Sequence, residues 1–89
     1  MIAKEIIIRN KPELESKLAA LFIQKAVKYK SNIWVEKEDR KTNGKSLLGL
    51  LSLGIGNGIK IVLTVEGEDE IKATQELEDY LCFESKENT

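Results

Sequence analysis

The sequence contains no histidine, and among its 89 residues there is one cysteine, one proline and one tryptophan. Without histidine, the protein cannot use an imidazole as nucleophile, as acid–base catalyst near neutral pH, or as metal ligand. Because a disulfide needs two cysteines, Cys82 cannot form one within the chain, which favours a reducing compartment, the cytoplasm. We expect Cys82 to be a partly buried packing residue.

An excess charge of one sign is also missing. Fourteen Lys and Arg residues stand against fifteen Asp and Glu residues, for a net charge of −1. This balance argues against direct binding of nucleic acid or of an anionic membrane through general electrostatics. No apolar run approaches the roughly 18 residues that a membrane span needs, and no signal peptide is visible.

Hydrophobic periodicity predicts seven elements in the order β-α-β-β-α-β-α. Alternating patterns indicate strands over 2–9, 33–36, 40–42 and 59–65; helical spacing indicates helices to about Tyr29, over 47–53, and from a cap at Asp69. The last helix has its apolar stripe at Ile71, Thr74, Leu77 and Leu81. Residues 66–70, EGEDE, are read as a turn and helix cap, not as a metal site. The pattern predicts a two-layer α+β fold in a single domain over residues 1–89, with residues 84–89 as a frayed tail.

Residues 43–55, NGKSLLGLLSLGI, place a serine directly before a short leucine-rich helix. Ser46 is a preferred N-cap residue. A helix of this length buries only one side, so we expect Leu50 and Leu53 to face the core and Leu47, Leu48 and Leu51 to lie at least partly outward. The alternative, that all five leucines belong to the core, stays open at this point. An exposed leucine cluster beside a modifiable serine indicates a protein-binding surface.

Several blocks in one order carry a resemblance to a known family: KE at 4–5, AALFIQ at 19–24, VEK at 35–37, NGKS at 43–46, SLGI at 52–55, and EGEDE at 66–70. The chain resembles HPr, the histidine-containing phosphocarrier of the bacterial phosphoenolpyruvate:sugar phosphotransferase system. The resemblance implies an open-faced β-sandwich, βαββαβα, in which three helices cover one face of a four-stranded antiparallel sheet. We expect no cofactor and no bound metal.

The family's phosphohistidine segment is where this chain departs from the pattern. Glu15 occupies the position of the histidine, Lys17 that of the supporting arginine and Leu18 that of the proline. A carboxylate would form a far more reactive acyl phosphate and would repel an incoming phosphoryl donor, so we expect no catalytic residue here. Two helix starts are open: one near Pro12, which would convert the family's loop into helix, and one capped by Ser16.

The resemblance implies a non-enzymatic regulatory role, similar to the family branch that serves catabolite repression without the histidine. Ser46 would be phosphorylated by HPr kinase/phosphorylase, with Lys45 and the first-turn N–H groups receiving the phosphate. Lys45, Leu47, Leu48 and Leu51 would bind a LacI-type catabolite control repressor, and enzyme I could dock without phosphotransfer. The alternatives are an interaction module that is never phosphorylated and a phosphocarrier with an unusual acceptor.

Overall fold

The computed structural model of the protein describes residues 1–9 and 15–82. Its elements follow the predicted order: β1 (Ile2–Ile7), α1 (Glu15–Ala26), β2 (Asn32–Lys37), β3 (Arg40–Asn43), α2 (Leu47–Leu53), β4 (Lys60–Glu66) and α3 (Glu70–Leu81). The interpretation of 84–89 as a frayed tail falls outside the described residues.

The four strands form one antiparallel sheet in the order β1-β4-β2-β3. Alternate residues of each strand point toward the helices, because side chains in a strand alternate between the two faces of a sheet. The short polar strand β3 lies at an edge, as its composition predicts. The sheet's core residues are Ile6, Ile33, Val35, Ile61, Leu63 and Val65, with Ile8 just beyond β1.

Three helices cover that apolar face, and the predicted open-faced α+β sandwich is confirmed. Phe22 and Leu18 of α1, Leu50 of α2, and Leu77 of α3 are all fully buried in the shared core. No element of the described residues covers the opposite face of the sheet. This arrangement leaves each helix one apolar stripe to bury and one side free for other contacts.

Helix α1 ends at Ala26, three residues before the predicted end at Tyr29. The backbone tightens there: the N–H of Lys28 bonds to the carbonyl of Lys25, and that of Tyr29 to Ala26. Such i to i−3 bonds are common where an α-helix finishes. Hydrophobic periodicity did not indicate that the helix ends at Ala26, because Tyr29 still packs on the core from the turn that follows.

Two details of α3 differ from the sequence interpretation. Ile71 is 72% exposed, whereas Ala73 is fully buried. At about 100° of rotation per residue, Ile71 lies more than a quarter-turn from the centre of the buried face formed by Ala73, Thr74, Leu77 and Leu81. Asp69 does stand at the N-cap position, but its side chain makes no capping bond to α3.

Candidate functional site

Ser46 caps the N-terminus of α2, as predicted. Its hydroxyl oxygen accepts a hydrogen bond from the backbone N–H of Gly49 at 3.0 Å, and its carbonyl accepts one from Leu50 at 3.0 Å. The first bond satisfies an N–H group that the opening turn of a helix otherwise leaves without a partner. Ser46 is half-buried, so the residue lies at the edge of the protein surface and is still part of the fold.

Gly49 lets α2 lie close to the edge strand β3. A Cβ added at Gly49 would stand 1.9 Å from Oγ1 of Thr42, far inside any allowed contact. Glycine within a helix costs about 1 kcal/mol relative to alanine. Here the close approach of α2 to β3 offsets that cost, since a seven-residue helix depends on tertiary packing.

Two cations complete the C-terminal end of α2. The ammonium of Lys37 donates to the carbonyl of Leu53 at 3.1 Å and to that of Gly54 at 3.4 Å. The guanidinium of Arg40 donates to the carbonyl of Ser52 at 3.0 Å. Positive groups at this end complement the helix dipole and satisfy carbonyls that have no intrahelical donor.

The leucines of α2 divide between core and surface. Leu50 and Leu53 are buried, whereas Leu47 is 45%, Leu48 76% and Leu51 40% exposed. The predicted orientation is confirmed, and the alternative that all five leucines are core is wrong. We refer to Leu47, Leu48 and Leu51 as the leucine surface. It adjoins Ser46 in the sequence and occupies the outward side of α2.

Lys45 lies beside Ser46 in the chain, but its ammonium is committed elsewhere. Its Nζ donates to the backbone carbonyl of Tyr29 at 2.7 Å, just beyond the end of α1. Its own N–H donates to the side-chain carbonyl of Asn43 at 2.8 Å. That Lys45 receives a phosphate on Ser46 therefore stays a prediction, in which Tyr29 already holds one of the three N–H donors of the ammonium.

Glu15 is the first residue of α1 and is exposed. A Cβ added at Gly56 would lie 3.2 Å from Oε2 of Glu15, so the carboxylate rests on the backbone that follows α2. The proposed Ser16 cap is wrong, because Glu15 is already helical and Ser16 lies inside the first turn. The alternative start near Pro12 lies outside the described residues. Lys17 is exposed on the same turn of α1.

A polar network that the sequence interpretation missed joins the end of α1 to α3. The Tyr29 hydroxyl donates to Oε1 of Glu76 in a short hydrogen bond, which raises the pKa of Tyr29 to about 12. The same bond, together with the Lys28 ammonium at 3.0 Å, lowers the pKa of Glu76. The Asp69 carboxylate accepts from the Ser31 hydroxyl and backbone, and its pKa is lowered as well. These partners are 38 to 48 residues apart, so no local pattern could have indicated them.

None of the described helices is long and apolar enough to cross a membrane. Within residues 1–9 and 15–82, no three His, Cys, Asp or Glu side chains are grouped so that they could hold a metal ion. The EGEDE segment is used internally instead: the Gly67 N–H donates to Oε1 of Glu70 at 3.0 Å, and the N-terminal ammonium pairs with Oε2 of the same side chain at 3.0 Å.

Known proteins resemble the chain over nearly its whole length. The HPr-like protein Crh of Halalkalibacterium halodurans is 41% identical over 87 residues, which cover 98% of this chain and 100% of that protein. The phosphocarrier protein HPr of Neisseria meningitidis is 38% identical over 81 residues, 91% of each chain. Among solved structures, HPr-C-His from Thermoanaerobacter tengcongensis matches with a TM-score of 0.84 and 44% identity over 91% of both chains.

The sequence profile described as "PTS HPr component phosphorylation site" matches residues 2–82. That range contains every element of the fold, from β1 through α3. The chain therefore belongs to the HPr family.

Proposed function

We propose that this protein is a regulatory member of its family, phosphorylated at Ser46 and acting in carbon catabolite control by binding other proteins. The observation that carries the proposal is the position of Ser46: a half-buried serine at the N-cap of the helix that carries three exposed leucines, in a chain that has no histidine. The protein works as a single domain over residues 1–89, in the cytoplasm, and catalyses no reaction itself.

Phosphorylation of Ser46 changes surface charge more than it changes the fold. A phosphoserine carries a charge of about −1.5 to −2 at pH 7 and adds acceptor oxygens at an N-cap, where acceptors are favoured. Leu50 and Leu53 keep α2 anchored in the core throughout. The modification thus places negative charge beside the leucine surface, where it can control which proteins bind there.

The proposed partners follow from this surface and from the family. HPr kinase/phosphorylase modifies Ser46, and a LacI-type catabolite control repressor binds the modified protein through Lys45 and the leucine surface. Enzyme I docks on the same face without transferring phosphate. Transfer as a phosphocarrier is disfavoured, because Glu15 brings a negative charge to the position where a phosphoryl group would have to arrive.

Incubation with HPr kinase and ATP, followed by intact-mass measurement, tests the switch. We expect one phosphate on the wild-type protein and on Ser52→Ala, and none on Ser46→Ala. Ser52 is a matched control, since it is an exposed serine in the same helix. Loss of the cap in Ser46→Ala costs about 1 kcal/mol, so its circular dichroism is checked first. An unmodified wild-type chain, with the kinase active on an ordinary HPr, contradicts the proposal.

A second candidate is an interaction module that binds without phosphorylation. It is favoured by the exposure of Leu47, Leu48 and Leu51 in the unmodified protein. Titration of the catabolite control repressor with modified and unmodified protein separates the two. Tighter binding of the phosphorylated form supports the switch, whereas equal affinities support the unmodified module.

A further inference from the structure

Three basic side chains that contact or precede α2 donate to backbone carbonyls of the protein itself. Lys37 and Arg40 hold the carbonyls at the C-terminal end of α2, and Lys45 holds the carbonyl of Tyr29, over distances of 2.7 to 3.4 Å. A partner that pairs with one of these cations must share it with an internal hydrogen bond, because an ammonium or guanidinium group has further N–H donors. Each of the three therefore offers a partner only the donors that its internal bond leaves over, and this holds for Lys45 in the proposed contact with the repressor.

Glu15 is arranged differently. Its exposed carboxylate rests on the backbone of Gly56, two residues beyond the glycine that ends α2. Within residues 1–9 and 15–82, no side chain or backbone group donates to it. Lys17, two positions along α1, has an interaction of its own. Glu15 is thus a negative charge that a partner can contact without competing with a hydrogen bond from any described residue.

The leucine surface lies between two positions that can carry negative charge. One is the carboxylate of Glu15, and the other is Ser46 once it is phosphorylated. Ser46 stands at the N-terminal end of α2, and Glu15 contacts the chain just past the C-terminal end. Seven helical residues span about 10 Å, so the two ends of the surface are within reach of one short partner segment. Leu48, 76% exposed, projects furthest between them.

We propose that Glu15 determines the specificity of this surface by selecting a partner segment that places an arginine or lysine opposite its carboxylate and apolar side chains on Leu47, Leu48 and Leu51. The inference rests on the proposed function, because it assigns the partner chemistry of the same surface. Phosphorylation of Ser46 adds a second negative end, which favours a segment with cations on both sides of its apolar residues.

Two matched synthetic peptides test the inference on the unmodified protein. Both are amphipathic helices with leucines along one face; one has arginines at its ends and the other has glutamates. Binding is followed by NMR through the amide shifts of residues 15–18 and 46–56, at low and high salt. We expect the arginine peptide to bind about three- to fivefold more tightly than the glutamate peptide, with the difference reduced by salt.

Substitutions at Glu15 assign the effect to that side chain. Glu15→Gln should remove most of the preference for the arginine peptide, and Glu15→Lys should reverse it. Glu68→Gln, at an exposed position in the turn before α3, should leave the preference unchanged. Urea unfolding of each variant verifies that the fold is retained.

Equal affinity for the two peptides, no binding of either, or an unchanged preference in Glu15→Lys would each overturn the inference. Neither kinase nor phosphate enters this experiment. Its failure therefore leaves phosphorylation of Ser46 intact, and a negative kinase assay leaves the preference for a basic partner intact.

Discussion

Thr74 carries a buried hydroxyl on α3 that has no hydrogen-bond partner among the described residues. The residue is 4% exposed and packs in the core with Ala73 and Leu77. A buried polar atom without a partner loses its bonds to water and gains nothing in exchange. Thr74 therefore lowers the free energy of unfolding at a position where valine has nearly the same shape.

We expect Thr74→Val to raise the free energy of unfolding by about 1 kcal/mol, the cost of leaving such a hydroxyl without a partner. Urea denaturation followed by circular dichroism measures the change. Thr64→Val is the control, because Thr64 is half-exposed on the uncovered face of the sheet and its hydroxyl is near water. A Thr74→Val protein less stable than the wild type would mean that the hydroxyl has a partner, such as a bound water.

At the scale of secondary structure, the docking of α2 on β3 positions both Ser46 and the leucine surface. The helix is short, and its attachment rests on two buried leucines, on cations at its C-terminal end, and on the contact of Gly49 with Thr42. The last contact leaves no room for a side chain at position 49. The spacing between α2 and β3 is thus specified by a single glycine.

Gly49→Ala should displace α2 and destabilise the protein by about 1–3 kcal/mol, as overpacking does elsewhere, despite the better helix propensity of alanine. Thr42→Ala removes the oxygen that the new methyl group would strike. The double variant should therefore recover much of the loss, which a double-mutant cycle from urea denaturation quantifies. Purely additive effects of the two substitutions would show that the steric contact is not the cause.

At the scale of the whole molecule, three carboxylates of α3 and its N-cap accept hydrogen bonds, and two of these bonds come from residues distant in sequence. Hydrogen bonds to the charged form lower the pKa of each of three groups: from the Ser31 hydroxyl to Asp69, from the Gly67 N–H to Glu70, and from the Tyr29 hydroxyl to Glu76. A group whose pKa is lower in the folded protein binds its proton more weakly there than in the unfolded chain. Its contribution to stability is present above the unfolded-state pKa and is lost as the pH falls through the folded value.

We accordingly expect the free energy of unfolding to decrease as the pH falls below the ordinary carboxyl pKa values of 3.8 and 4.5. Urea denaturation from pH 7 to pH 3 measures this dependence. Asp69→Asn should lower the free energy of unfolding at pH 7 and make it depend less on pH in the acidic range. Asp79→Asn, at an exposed position of the same helix, is the control. If the free energy of unfolding of Asp69→Asn fell as steeply at acidic pH as that of the wild type, the assignment to Asp69 would be contradicted.

Much of the architecture could be read from periodicity, because burial of one face imposes a repeat of two on strands and of 3.6 on helices. The alternation around Ile61, Leu63 and Val65 indicated β4 correctly, and the polar composition at 40–42 indicated an edge strand. Ser46 was assignable as a cap because capping is local. Ile71 was misassigned for a related reason: an apolar residue near the start of a helix matches the repeat even when it lies outside the buried face.

The sequence by itself determined the order of the elements, the cap at Ser46, and the loss of the histidine that phosphotransfer needs. These features depend on residue type and on spacing within about one turn or a few strand positions. Only the tertiary structure decided that Lys45 holds the Tyr29 carbonyl, that Asp69 bonds to Ser31, and that Glu15 rests on Gly56. Each of those contacts joins residues that are far apart in the chain, so its geometry exists only once the core has brought the elements together.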